Sequence, residues 1–82
     1  MKKTIGFDKA LVACEKGKRI QRSGWNGKNM FVFHRAEVSD ATPNNGKTNC
    51  LAYLCMKTVD DKFVPWLASQ TDILAKDWSI LD

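Results

Sequence analysis

Three tryptophans, Trp25, Trp66 and Trp78, stand beside turns or element ends in a chain of 82 residues. Indole is costly to leave in water and well suited to stacking on a flat heterocycle. Groups that suit a nucleotide surround them. The amides of Asn26, Asn29 and Gln70 can read base edges or ribose hydroxyls, and Asp72 can accept from paired ribose hydroxyls. Arg19, Arg22, Lys28 and Lys57 can neutralise phosphate, and the helix start at Ser69–Thr71 offers backbone amides to an anion. The competing role for the tryptophans is core filling. Trp78 fits it best, and Trp25, in a Gly-rich turn, fits it least. Ser69 and Asp72 have a competing role as helix caps, which suits Ser69 better than ligand contact.

Residues for turnover are sparse. Nucleophilic catalysis needs a Ser, Cys or Thr beside an orienting base, and the one histidine, His34, lies inside an apolar strand. No phosphate-binding glycine loop, zinc-protease helix or calcium loop occurs. The Asp60-Asp61 pair reads as a turn beside Lys62 rather than as an acid–base couple. Cys14, Cys50 and Cys55 contain no close pair and read as reduced thiols rather than a disulfide framework or a zinc site. Neither a metal nor a cofactor is expected, and the chain reads as a binder rather than an enzyme.

The elements that must hold these residues follow from periodicity. Phe7, Leu11 and Cys14 recur at helical spacing with Ala10 beside them, which predicts a helix from Phe7 to Lys16 capped by Gly17. Residues 18–22 predict a short strand, 23–29 a turn around Asn26-Gly27, and 30–35 a buried strand. Residues 36–49 read as a polar loop. A third strand is expected at 51–57, a fourth at Phe63-Val64 before Pro65, and a capped helix from Ser69 to about Lys76. A last strand, 78–81, puts Trp78 and Ile80 on one side. The resulting class is α+β: a small antiparallel sheet with two helices in the order α-β-β-β-β-α-β, one ligand-binding domain over residues 1–82.

Length and charge narrow the partners. A chain this short buries only about 60–65% of its unfolded surface, so self-association is a natural supplement to its core. No run approaches the roughly 20 apolar residues of a membrane span. Lys2 and Lys3 resemble the start of an export signal, but Asp8 and Lys9 arrive before any apolar stretch, so the expected location is cytoplasmic. Net charge is +4 and uneven: residues 1–35 carry +7 and residues 36–82 carry −3. The basic half suits an anionic partner, a phosphorylated small molecule or a nucleic acid.

Gly24-Trp25-Asn26-Gly27, Met56-Lys57-Thr58 and the run Val64-Pro65-Trp66-Leu67-Ala68-Ser69-Gln70-Thr71-Asp72 through Trp78 together resemble the Thoeris anti-defense 2 family of phage proteins. Phe7-Asp8-Lys9-Ala10-Leu11, Gly17-Lys18 and Arg22 resemble it too, so the likeness spans nearly the whole chain. Cys50–Cys55 and the segment 36–49 depart from the usual pattern. The resemblance implies a sponge that binds a cyclic ADP-ribose-type immune signal without cleaving it, blocking effector activation in the host cytoplasm. It also implies a homotetramer with pockets between protomers, and in some members binding of cyclic oligonucleotides. The expected ligand residues are Trp25, Asn26, Met56, Lys57, Trp66, Gln70, Thr71 and Asp72, with Arg19, Arg22 and Lys28 as phosphate candidates. The alternatives are a small protein–protein inhibitor of a host factor and a nucleic-acid-binding module, nucleic acid being the less expected partner.

Overall fold

The computed structural model describes residues 4–25, 29–36, 38–41 and 47–81. Helix α1 (Phe7–Glu15) forms where the apolar stripe predicted it, burying Ala10 and Cys14. Gly17 ends it at φ +98°, with its amide on the Cys14 carbonyl (3.0 Å) and the Lys18 amide on Ala13 (3.1 Å). A side chain there would be strained by the backbone alone, because no atom crowds the position.

Five antiparallel strands build the main sheet in the spatial order β6-β5-β2-β1-β7. They are β1 (Ile20–Arg22), β2 (Phe31–Arg35), β5 (Tyr53–Lys57), β6 (Phe63–Pro65) and β7 (Trp78–Ile80). Helix α2 (Gln70–Leu74) leads from β6 into β7, which returns beside β1 with Ile20 opposite Ile80 and Arg22 opposite Trp78. The main-sheet strands and two helices thus follow the expected order α-β-β-β-β-α-β. Pro65 closes β6 on the sheet edge, where its missing amide donor costs no ladder bond.

Residues 36–49 differ from the expected loop. Val38–Ala41 (β3) and Lys47–Cys50 (β4) pair as an antiparallel hairpin, Val38 opposite Cys50 and Ala41 opposite Lys47. The segment's polarity pointed to loop, but a ladder is made by main-chain groups and needs no apolar face. Among the described residues no other element packs against this hairpin. The second helix is also shorter than expected: Ala75 is already extended (ψ 149°).

Strand alternation divides the sheet into two faces. Val32 and Ile20 project toward the helices, and with Ala10, Cys14 and Trp78 they form the fully buried core. Ile5, Phe7, Trp25, Leu54, Met56, Trp66 and Ala75 pack around it, partly buried. Cys14 and Cys55 are buried free thiols. Burial pushes the Cys14 thiol up, and the neighbouring Glu15 charge adds to the effect. No described helix is long and apolar enough to cross a membrane.

Candidate functional site

The tryptophans, dispersed in sequence, meet on the helix-covered face. Trp78 is buried and stands edge-on to Trp25 (centroids 5.4 Å, 81°) and to Trp66 (5.9 Å, 79°). Trp25 and Trp66 approach each other at 6.3 Å and 71°, and Phe7 of α1 closes the group at 5.2 Å from Trp78 and 6.1 Å from Trp66. Edge-to-face contact is favoured because the positive ring edge meets the negative ring face. The buried Trp78 indole N–H donates to the Asp72 carbonyl (2.9 Å), so the core indole leaves no donor unmet. Trp25 and Trp66 are half-buried, each keeping part of its ring at the surface.

Beside the indoles lies an arginine clamp. Arg22, at the end of β1, donates from Nη1 to Asp72 Oδ1 (2.9 Å) and from Nε to Asp77 Oδ1 (3.0 Å). The other Asp77 oxygen accepts the Gly24 amide at 3.0 Å. The other Asp72 oxygen accepts from the Ser69 backbone amide at 3.3 Å and from its hydroxyl at 2.9 Å, while the Asp72 amide donates to Ser69 Oγ at 3.1 Å. This is the predicted capping box, with Asp in place of Glu. Burial by itself would raise the pKa of Asp72, but hydrogen bonds from Arg22 and Ser69 outweigh it and hold the carboxyl below its usual range. At Asp77 burial is likewise outweighed, by Arg22 and the Gly24 amide.

The predicted ligand residues divide between the two faces. Trp25, Trp66, Asp72 and Arg22 come together, with Met56 against the same core. Gln70 and Thr71 are exposed in the first turn of α2, next to Asp72. Lys57 instead alternates with Met56 onto the opposite face, where it pairs with Asp61 (2.7 Å) and lies 5.8 Å from the Phe31 ring. Arg19 lies 5.1 Å over the same ring. Asn26 and Lys28, and with them the Asn26-Gly27 turn, lie outside the described residues.

Asp77 was not among the predicted residues. An acid just before a core tryptophan carries no signal until β7 is known to lie beside β1. The aromatic row on the opposite sheet face was also missed, although the alternation Phe31-x-Phe33 pointed to it.

A surface carrying indoles, the Gln70 amide and a matched Arg–Asp cluster can stack a flat ring and order hydroxyls. Among the described residues no three His, Cys, Asp or Glu gather as metal ligands. A family model described as the Thoeris anti-defense 2-like domain matches residues 5–81. The Thoeris anti-defense 2 protein of Bacillus phage SP01 is 39% identical over 90 aligned positions, covering 99% of this chain and 99% of that protein.

Proposed function

The chain belongs to the Thoeris anti-defense 2 family, and from that membership we propose that it is a phage anti-defense protein that sequesters a cyclic ADP-ribose-type signal without cleaving it. It acts in the host cytoplasm, and holding the signal keeps the immune effector inactive. The observation that carries the site assignment is the convergence of Trp25 and Trp66 on the helix side of the sheet, with Asp72 tied to the same cluster through Trp78 and Arg22, and Gln70 and Thr71 in the same helical turn. Two indoles at 71° cannot sandwich a base. They suit a corner in which a base stacks on one ring and is bounded by the other.

Sequestration demands tight binding rather than chemistry. Holding most of a scarce signal requires roughly nanomolar affinity, about −12 kcal/mol. One stacked base supplies ~1–3 kcal/mol and a charge-assisted hydrogen bond ~1.5–3 kcal/mol, so several must act together in a closed pocket. A second protomer supplies closure, and a homotetramer with pockets between protomers satisfies both this need and the small core. Cyclic oligonucleotides offer the same bases and phosphates and are a further ligand class for such pockets.

Calorimetry against a panel of cyclic ADP-ribose isomers and cyclic dinucleotides tests the reading. Capture of one isomer is expected, weakened roughly 5- to 100-fold or more by Trp25→Ala, and heat-released ligand should be chemically intact by mass spectrometry. No capture of any isomer defeats the sponge reading, and a modified product would make the protein an enzyme. Equal affinity of Trp25→Ala and the parent would move the site elsewhere.

A further inference from the structure

The sheet has a second face, and neither helix lies on it. Phe31 and Phe33 stand there 6.0 Å apart, and Phe63 continues the row 5.3 Å from Phe33. Phe63 is 60% exposed at the sheet edge, and Phe31 and Phe33 are half-buried. Cations accompany the rings: Lys57 and Arg19 beside Phe31, and Arg35 6.0 Å over Tyr53. Among the described residues no element covers this face.

Its charge is one-sided. The five strands contain no Asp or Glu, whereas Arg35 and Lys57 both alternate onto this face. Asp61, which pairs with Lys57, sits in the turn beyond the strand end and is 81% exposed on its side chain. The Lys57 side chain is 19% exposed and also donates to the Asn29 carbonyl at 3.1 Å, so a phosphate would replace only Asp61, its solvent-exposed partner.

We propose that this open face is a binding platform for single-stranded nucleic acid, separate from the indole corner on the helix side. The exposed Phe63, edge-on to Phe33 at 68°, offers a ring face to an unpaired base, as aromatics on open sheets do, while the cations over Phe31 and Tyr53 meet the backbone. A second copy of the chain is the poorer occupant, because the strands of this face present cations and no carboxylate to pair with them. Duplex is poorer still, since its bases are already stacked.

Fluorescence anisotropy of a labelled short oligothymidylate, with the intact protein, tests this. Binding should saturate at micromolar protein. With Arg35 and Lys57 as the phosphate contacts it should weaken roughly sevenfold between 50 and 200 mM salt. Arg35→Ala should cut that salt effect to between about two- and threefold, and Phe63→Ala should weaken binding roughly 5- to 100-fold. Both variants should capture cyclic ADP-ribose isomers as the parent does, while Trp25→Ala should keep the oligonucleotide, so either site can fail alone. No saturation by about 100 μM protein, or parent-like binding by both variants, overturns the proposal. It is equally overturned if Phe63→Ala changes the molar mass in light scattering and leaves oligonucleotide binding intact, for then the face belongs to a second copy.

Discussion

Arg22 joins three segments that the chain brings together late: β1, the first turn of α2 and the residue before β7. Its side chain is 18% exposed and that of Asp72 15%, so the pair is only partly screened by water. Arg22→Ala would leave two carboxylates facing each other without a cation, and a loss of about 1–3 kcal/mol is expected in urea unfolding. The clamp also sets a pH dependence. Both aspartates titrate below their usual range in the folded protein. Their contribution is therefore fully present above the unfolded value of about 4 and is lost as pH falls through the lowered folded values. Urea midpoints should drop between pH 6 and pH 3 in the parent, and by clearly less in Arg22→Ala. An equal drop in both would remove the clamp from the account of acid stability. The same geometry changes how Asp72 is probed: Asp72→Ala removes a cap and an ion partner at once, so Trp25→Ala reports on ligand capture more cleanly.

At the scale of elements, α2 has five residues and buries none of them, so it cannot stand by its own propensity. The Ser69–Asp72 box and the Trp78 indole bond to the Asp72 carbonyl hold it. Ser69→Ala should cost about 1 kcal/mol, read as a melting temperature lower by roughly 4–8 °C. Gly17→Ala should cost about 1 kcal/mol or more, for a different reason. Its φ of +98° is closed to side chains although the space around it is open. Gly17→Asn should recover part of that loss, since Asn tolerates left-handed backbone better than Ala; no difference between the two variants in thermal unfolding would argue against backbone strain.

The whole molecule is extended for its size. Its radius of gyration is 14.3 Å and its longest extent 49 Å, against about 12 Å expected for the radius of a compact chain of this length. Many large apolar side chains remain at the surface, Leu67 (92% exposed) and Leu74 (71%) beside the indole corner among them. A small core with apolar surface close to the candidate site is the condition that self-association relieves. Light scattering of the parent should give four times the 9.3 kDa protomer, and Leu67→Asp together with Leu74→Asp should lower that mass and weaken nucleotide capture together. A monomeric parent would remove the interprotomer pocket from the proposal.

The sequence alone was enough for the helix stripe Phe7–Cys14, the Gly17 stop, the Ser69 capping box, the main-sheet element order and the family, because each is a local pattern or a long matching run. It also separated Trp78, on an alternating strand, from the other two indoles. It could not show that Trp25, Trp66 and Trp78 touch, since no local rule relates residues 25 and 78 until β7 lies beside β1. Nor could it pair Arg22 with Asp77, or recognise a hairpin in 36–49, where main-chain bonding carries the structure and side-chain polarity is uninformative. The largest decision left to tertiary structure was the division of the cationic and aromatic residues. Helix α1 settles on the Val32 face, leaving Lys57, Arg19 and the phenylalanine row on the other. Alternation fixes which residues share a face, but only packing decides which face is covered.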